Sequence, residues 1–289
     1  MATYQSALEE IQQLNDLRIL AGTYEAIAAS YMQRIRISVL ETRKFSQGLN
    51  AIFREVASAY QTEIVRLMKK KKIQDRSRLS LQAKNGKTIL VFLSANTGLY
   101  GDIVYKTFSR FLAAWRVAKG DSLIIGRVGR ALFEEAAPRA KFLYEEFPDN
   151  IVDVERLQAI IRRLSAYERV VMFHGEFKTL VTQTSQETVV SGSELPAASL
   201  EAEHTRYLFE PSLEVIMMFF ETEIFSGLVT QTVQESRLAK LASRLVLLDK
   251  ATVHIGEEVK KTKLHAQQLR HQILNKKQLE ISNSQIFYA

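Results

Sequence analysis

The long final segment of this chain has almost no residue that would interrupt a helix, and this limits the folds that the chain can adopt. The segment runs from Tyr207 to about Ile281. Its only proline is Pro211, near the start, and its only glycines are Gly227 and Gly256. A helix of this length would extend roughly 110 Å at about 1.5 Å per residue, whereas globular helices average about 11–12 residues. We therefore expect a second helix to cover its apolar stripe.

The N-terminal segment is the expected partner of this helix. Residues 7–72 contain no proline, and only Gly22 and Gly48 break the pattern. Apolar residues recur at steps of three and four, as one face of a helix requires. They include Ala7, Leu8, Ile11, Leu14, Leu17, Leu20, Tyr24, Ile27, Tyr31, Ile35 and Val39. The two chain ends are thus predicted to form a coiled coil around a folded middle.

Between the two ends the apolar period changes, and strands alternate with helices. The predicted buried strands are residues 88–94, 121–125 and 168–174, and residues 177–190 have the alternation of an antiparallel edge strand. The predicted helices are residues 102–118, 126–137 and 153–165. A polar loop is expected at residues 191–204 and a short strand at residues 207–209. This alternation predicts an α/β layer domain, so the fold class is α/β plus a long coiled coil, divided at residues 1–72, 73–206 and 207–289.

The composition and net charge of the chain indicate which classes of molecule it could bind. The chain has 39 Lys and Arg against 32 Asp and Glu, a formal net charge of +7. A basic balance suits nucleic acid, an anionic membrane surface or an acidic protein. The densest run, Lys69–Lys72, is explained equally well by a solvated helix C-terminus. The absence of cysteine excludes disulfides and thiolate metal sites, and without an apolar run of 18 residues we expect no transmembrane helix.

Local catalytic and cofactor motifs are absent from the sequence. There is no phosphate-binding P-loop, no HExxH metal motif and no Ser-His-Asp signature, so we expect no cofactor, no metal and no catalytic group. Gly126 and Gly129 follow a predicted strand and open a helix, as in a dinucleotide-binding loop. The glycine spacing is incomplete, however, and a tight strand–helix turn accounts for it. Gly98 and Gly101 define a similar turn.

Six segments in a fixed order match one known family over nearly the whole length. Four are continuous: residues 26–32 (AIAASYM), 94–101 (SANTGLYG), 125–133 (IGRVGRALF) and 207–212 (YLFEPS). The other two lie on the final helix: the spaced positions Glu235-Ser236, Ala242–Arg244 and Ala251-Thr252, and further on Arg270. In these segments, and in its helix–α/β–helix order, the chain resembles the gamma subunit of F-type rotary ATP synthases.

The resemblance implies a rotor shaft without a catalytic group. Its antiparallel coiled coil would sit inside a ring of alpha and beta subunits. Its Rossmann-like middle domain would stand on the membrane-embedded c-ring and bind the epsilon subunit. Rotation of the asymmetric shaft would then couple ion flow to ATP synthesis or hydrolysis on the ring. The implied location is peripheral, on the cytoplasmic face of a bacterial-type plasma membrane.

Several positions depart from the family pattern. Leu8, Glu9 and Glu10 stand where the family usually has a basic stretch, and residues 239–241 (AKL) replace its Ser-Glu-His step. The Arg-Gln pair near the C-terminus is Arg270-His271 here. The resemblance therefore implies a divergent gamma subunit or a gamma-like paralogue from a specialised rotary motor.

The resemblance also implies two sets of partner contacts. The expected contacts to the alpha/beta ring are Arg270, His271, Gln272, Asn275, Lys260, Lys261 and Lys263. The expected foot contacts, to the epsilon subunit and c-ring, are Ser94, Asn96, Gly98, Leu99 and Gly101. The alternative for each position is an ordinary solvated helix surface or turn.

Two other classes of protein remain open. A basic coiled-coil adaptor or nucleic-acid-binding protein would bind DNA or RNA in a strongly salt-dependent way, although the lysines are not interleaved with stacking aromatics. A nucleotide-dependent enzyme would bind its ligand near Gly126.

Overall fold

The computed structural model describes residues 3–59, 78–79, 84–118, 120–149, 151, 153–190, 193–194, 210 and 212–287. The helices are α1 (Tyr4–Ala59), α2 (Ile103–Val117), α3 (Arg127–Ala136), α4 (Val154–Ser165) and α5 (Leu213–Phe287). The strands are β1 (Arg78–Leu79), β2 (Thr88–Leu93), β3 (Asp121–Ile125), β4 (Leu143–Glu145), β5 (Arg169–Phe177), β6 (Gln183–Val189) and β7 (Ser193–Glu194).

The two long helices predicted from the sequence are present. Helix α1 has 56 residues and α5 has 75. The proposed domain boundaries at 72/73 and 206/207 lie outside the described residues, as do Lys69–Lys72 and the short strand expected at residues 207–209. No helix in the described part of the chain is long and apolar enough to cross a membrane.

The chain divides into two compact units. The terminal unit comprises residues 1–30 and 244–289, and the sheet unit comprises residues 31–243. In the terminal unit, Ala7 and Ala28 of α1 and Val259 and Ala266 of α5 are buried. Each of the two helices therefore has covered positions within this unit.

In the sheet unit, the remaining parts of α1 and α5 pack in antiparallel fashion. Phe53 of α1 meets Phe220 of α5 edge to face, with ring centroids 5.9 Å apart. Further along, Arg43 Nε donates to Glu235 Oε1 over 3.1 Å, and Ser38 Oγ donates to the Gln234 side chain over 3.3 Å. The apolar end of this seam therefore passes into a polar one as α5 proceeds.

The sheet has the strand order β4-β3-β2-β5-β6. Strands β2 to β5 are parallel, and β6 is an antiparallel edge strand. The three central strands and the edge strand confirm the sequence prediction. Strand β4 was not predicted, since it has only three residues and none of them is fully buried. The polar loop expected at residues 191–204 contains β7, which pairs with β1.

Both faces of the sheet are covered, and this explains why its central strands are continuously apolar. On one face an aromatic cluster joins the sheet to α2 and α3, with Phe92 stacked on Phe111 at 5.4 Å. On the other face α4 and α5 cover the sheet, with Leu157 and Ile160 from α4 and Val229 and Val233 from α5. Residues 213–243 of the long helix are thus one layer of the α/β unit.

Candidate functional site

The loop after β2, residues 94–101, is fastened to the long helix α5. Lys240 Nζ donates to the Ser94 carbonyl over 2.5 Å, and Ser243 Oγ donates to the Tyr100 carbonyl over 2.8 Å. Gly101 has φ +58°, and a Cβ there would lie 2.5 Å from Ser243 Oγ. A glycine is therefore required where the loop passes the helix.

Asp149 connects this loop to α5 through a group of polar residues that we call the Asp149 cluster: Asn96, Thr97, Asp149, Arg237 and Lys240. Asp149 Oδ2 accepts from the backbone N–H groups of Asn96 and Thr97 over 2.9 and 3.0 Å, and from Thr97 Oγ1 over 3.1 Å. Lys240 Nζ lies 3.9 Å from Asp149 Oδ1, and these two side chains are 9% and 5% exposed. Arg237 Nε donates to the Asp149 carbonyl over 3.2 Å.

The glycine turn before α3 is a structural element and leaves little room for a phosphate group. Gly126 has φ +106°, and a Cβ there would lie 2.8 Å from the Ala95 backbone. The Arg127 N–H donates to Asn96 Oδ1 over 3.0 Å, and the Val128 N–H donates to the Ala95 carbonyl over 2.9 Å. The first amides of the helix, which would hold a pyrophosphate in a dinucleotide-binding loop, are thus bonded within the chain. The prediction of a tight strand–helix turn is confirmed.

The tip of the same loop is exposed. Leu99 is 53% exposed and has φ +65°, a conformation that costs energy for a residue with a Cβ. Gly98 is also exposed, and Gly101 is half-buried. In contrast, Ser94 is buried, and Asn96 donates its side-chain amide to the Phe147 carbonyl over 2.7 Å. Of the five predicted foot contacts, only Gly98 and Leu99 present an open surface.

The predicted ring contacts on α5 are all exposed. These residues are Lys260, Lys261, Lys263, Arg270, His271, Gln272 and Asn275. Val259, Thr262 and Ala266 on the same helix are buried, so the helix has one covered face and one open face up to that point. From residue 270 to residue 282 every position is exposed. The open surface of the helix therefore includes every residue of this set.

One of these lysines differs from the others in its charge environment. Lys261 Nζ lies 2.7 Å from Glu258 Oε1. The hydrogen bond and the charge of Glu258 raise the pKa of Lys261, and those of Lys261 lower the pKa of Glu258. Lys260 and Lys263 have no ion pair among the described residues. They are therefore better placed than Lys261 to attract an acidic partner.

Three residues of the cluster, Asp149, Arg237 and Lys240, were not predicted from the sequence as functional candidates. A signal was present, because Arg237 and Lys240 are spaced i, i+3 beside the buried Leu238 and Leu241. Two cations on one apolar stretch of helix indicate a buried acidic partner. The position of that partner cannot be inferred from the helix alone.

Comparison with known proteins agrees with this architecture. The family model described as ATP synthase matches residues 4–284. The ATP synthase gamma chain of Cytophaga hutchinsonii is 22% identical over 97% of each chain, and that of Halothermothrix orenii is 20% identical over 97% of each chain.

A solved structure shares the fold. The central stalk and c-ring structure of the Tetrahymena thermophila mitochondrial ATP synthase contains a chain that is 17% identical, with a TM-score of 0.55 over 80% of this chain and 99% of that one. The resemblance in sequence segments, the match over almost the entire length and the shared fold agree. This chain belongs to the ATP synthase family, as a member of its gamma chains.

Proposed function

We propose that this chain is the central stalk of an F-type ATP synthase and couples rotation of a membrane ring to catalysis on an alpha/beta ring. The proposal rests on one observation about helix α5. Residues 213–243 form a layer of the sheet unit, and the same helix continues without a break to Phe287. A helix anchored in a folded domain transmits a torque applied to that domain, because turning it independently would break the packing of Val229 and Val233 against the sheet.

The foot of the shaft would contact the c-ring and the epsilon subunit through the tip of the loop after β2. Leu99 is an exposed apolar residue in an unfavourable backbone conformation, and such strain is found where a loop is held for a partner. The loop is held on both sides of its tip, by Lys240 at Ser94 and by Ser243 at Tyr100. A load on Leu99 would therefore pass directly to α5.

The alpha/beta ring would surround the exposed part of α5. Lys260 and Lys263 are candidates for contacts with acidic loops, and Arg270, His271, Gln272 and Asn275 for polar contacts nearer the end of the helix. Contacts that must slide during rotation cannot depend on one fixed hydrogen-bond geometry. Charge attraction tolerates changes of register, which suits a chain with a net charge of +7.

As a gamma chain, the protein is a non-catalytic part of its complex. We propose that it has no enzymatic activity of its own and that it associates peripherally with the cytoplasmic face of a bacterial plasma membrane. The Asp149 cluster supports the first point. At the carboxyl end of β2, where open α/β sheets usually bind ligands, the Lys240 side chain of α5 already contacts the loop.

The test is a gentle affinity purification of the tagged chain from its native membranes, with mass spectrometry and an ATPase assay. We expect alpha- and beta-type subunits with ATPase activity, and we expect deletion of residues 265–289 to reduce that activity. Arg139→Ala, which removes an exposed cation from the sheet unit, is the control and should leave the activity unchanged. Recovery of the chain alone, or with nucleic acid, would refute the proposal.

A further inference from the structure

The Asp149 cluster contains a nearly buried arginine, Arg237, which contacts no carboxylate among the described residues. Arg237 and Lys240 are 4% and 7% exposed. Lys240 Nζ lies 3.9 Å from Asp149 Oδ1, whereas Arg237 Nε donates to the backbone carbonyl of Asp149 and not to its carboxylate. Asp149 Oδ2 already accepts three hydrogen bonds from the loop after β2. Burial lowers the pKa of Arg237, and the attraction of Asp149 only partly offsets this effect. A buried cation without a full counter-charge is costly.

The guanidinium of Arg237 also has unused hydrogen-bond donors. Within the described part of the chain its only hydrogen bond is from Nε to the Asp149 carbonyl, so both Nη nitrogens lack a partner there. Arg237 also lines an open cleft of about 290 Å³ between α1 and α5 in the sheet unit. The guanidinium is thus a nearly buried donor beside a space that solvent can enter.

Among the described residues, the rest of the cleft lining is rich in hydrogen-bond donors and has no acidic side chain. The cleft is lined by Tyr31, Arg34, Ile35, Ser38, Ile151, Gln234 and Arg237. Arg34 is exposed and has no ion pair within the described ranges. The Gln234 carbonyl oxygen accepts from Ser38 Oγ, which leaves its side-chain N–H₂ group as a donor. Two guanidinium groups, an amide and a phenol therefore border one space.

We propose that this cleft binds a tetrahedral oxyanion of the phosphate class between Arg34 of α1 and Arg237 of α5. The planar fork of a guanidinium suits phosphate oxygens and donates two bonds at once. Since a water molecule occupies about 30 Å³ of liquid volume, the cleft has room for such an anion with several waters. The bound anion neutralises the buried charge of Arg237 and connects the two long helices.

The test is isothermal titration calorimetry of the full-length chain with inorganic phosphate, in chloride buffer at constant ionic strength. We expect one saturable site with a Kd below about 1 mM. Arg34→Gln should weaken binding at least about tenfold, because it removes charge-assisted hydrogen bonds. This substitution keeps helix propensity nearly unchanged, so the variant should fold. Arg237→Lys, which keeps the charge but removes the fork, should also weaken binding.

The matched control is Arg36→Gln, the same change at an exposed position of α1 that does not line the cleft. It should bind phosphate as the unmodified chain does. A parallel titration with ADP shows whether the oxyanion is free or carried by a nucleotide, and saturable binding of either supports the site. The absence of saturable binding to both, or equal weakening by Arg34→Gln and Arg36→Gln, would overturn the proposal.

Discussion

At the residue scale, the Asp149 carboxylate is the group on which the loop after β2 most depends. It holds two backbone amides and one hydroxyl of the loop and faces the buried ammonium of Lys240. We expect Asp149→Asn to lower the free energy of unfolding by about 3–5 kcal/mol, because the change removes the negative charge that faces a buried cation. Urea unfolding followed by circular dichroism measures this loss.

The control for Asp149 is an acid in an exposed ion pair. Asp102 lies 2.6 Å from Lys106, with side chains 69% and 58% exposed. Asp102→Asn should cost less than about 1 kcal/mol, since exposed pairs contribute little. If the two substitutions destabilise the chain equally, burial of the Asp149 pair has no special effect and the prediction is wrong.

His174 makes the free energy of unfolding depend on pH, and the sign of this dependence follows from the surroundings of the side chain. Its Nδ1 lies 3.0 Å from the Gly175 carbonyl, which can only accept, so Nδ1 carries the proton and Nε2 accepts from Thr188 Oγ1 over 2.9 Å. Burial lowers the pKa of His174 below its ordinary value. The folded state therefore binds a proton less readily than the unfolded state. The free energy of unfolding is fully retained above about pH 6.5 and falls as the pH drops toward the lowered value.

Comparison with His174→Gln isolates this contribution. Between about pH 7.5 and about pH 5.5 the unmodified chain should lose more stability than the variant. Urea unfolding at the two pH values gives the difference. His271→Gln, at an exposed position, should keep the full pH dependence. A His174→Gln variant with the same pH dependence as the unmodified chain would contradict the assignment.

At the element scale, helix α3 packs so closely on β2 that it requires a glycine. A Cβ at Gly129 would lie 2.5 Å from Ser94 Cβ and 2.9 Å from Phe92 Cε1, both in buried side chains. Gly129→Ala should therefore destabilise the chain by about 1–3 kcal/mol, as overpacking does. At Gly98 a Cβ would meet no atom within 4 Å, so Gly98→Ala should change stability by less than about 0.5 kcal/mol. Thermal unfolding of the two variants decides the point, and equal melting temperatures would contradict it.

The stability of the seam between α1 and α5 in the sheet unit should depend on one aromatic pair. Phe53 is 2% exposed and packs against Phe220, whereas Phe45 on the same helix is 61% exposed. We expect Phe53→Ala to cost about 3–5 kcal/mol in the free energy of unfolding. Phe45→Ala should cost less than about 0.5 kcal/mol. Urea unfolding of both variants measures the contrast, and a small loss for Phe53→Ala would show that the seam is held elsewhere.

How far the elements could be predicted depended on length and burial. The long helices and the central strands have long, uniform patterns that local sequence reveals. Strand β4 and the β1–β7 pair have three and two residues and give no periodic signal. The Asp149 cluster was missed for a different reason. Lys240 meets Ser94 across 146 residues of chain, and a contact set by tertiary packing leaves no mark on either segment alone.

At the scale of the whole molecule, net charge should govern how fast the shaft enters its ring. Lys260 and Lys263 lie on the exposed face of α5 and have no ion pair among the described residues. We expect the double substitution Lys260→Gln with Lys263→Gln to slow association with an alpha/beta subcomplex about 3–10-fold at low salt. The effect should nearly disappear at about 0.5 M salt, where the Debye length is only a few ångströms.

Surface plasmon resonance at about 0.05 M and about 0.5 M salt separates steering at the shaft from a general effect of charge. The control is Arg139→Gln with Lys141→Gln, which removes the same charge from exposed positions of the sheet unit. This pair should leave the association rate nearly unchanged, because its charges lie outside the proposed contact surface. Equal slowing by both pairs would mean that only total charge matters. In that case Lys260 and Lys263 would be ordinary solvated residues, and the contact surface for the ring would have to be sought among Arg270, His271 and Gln272.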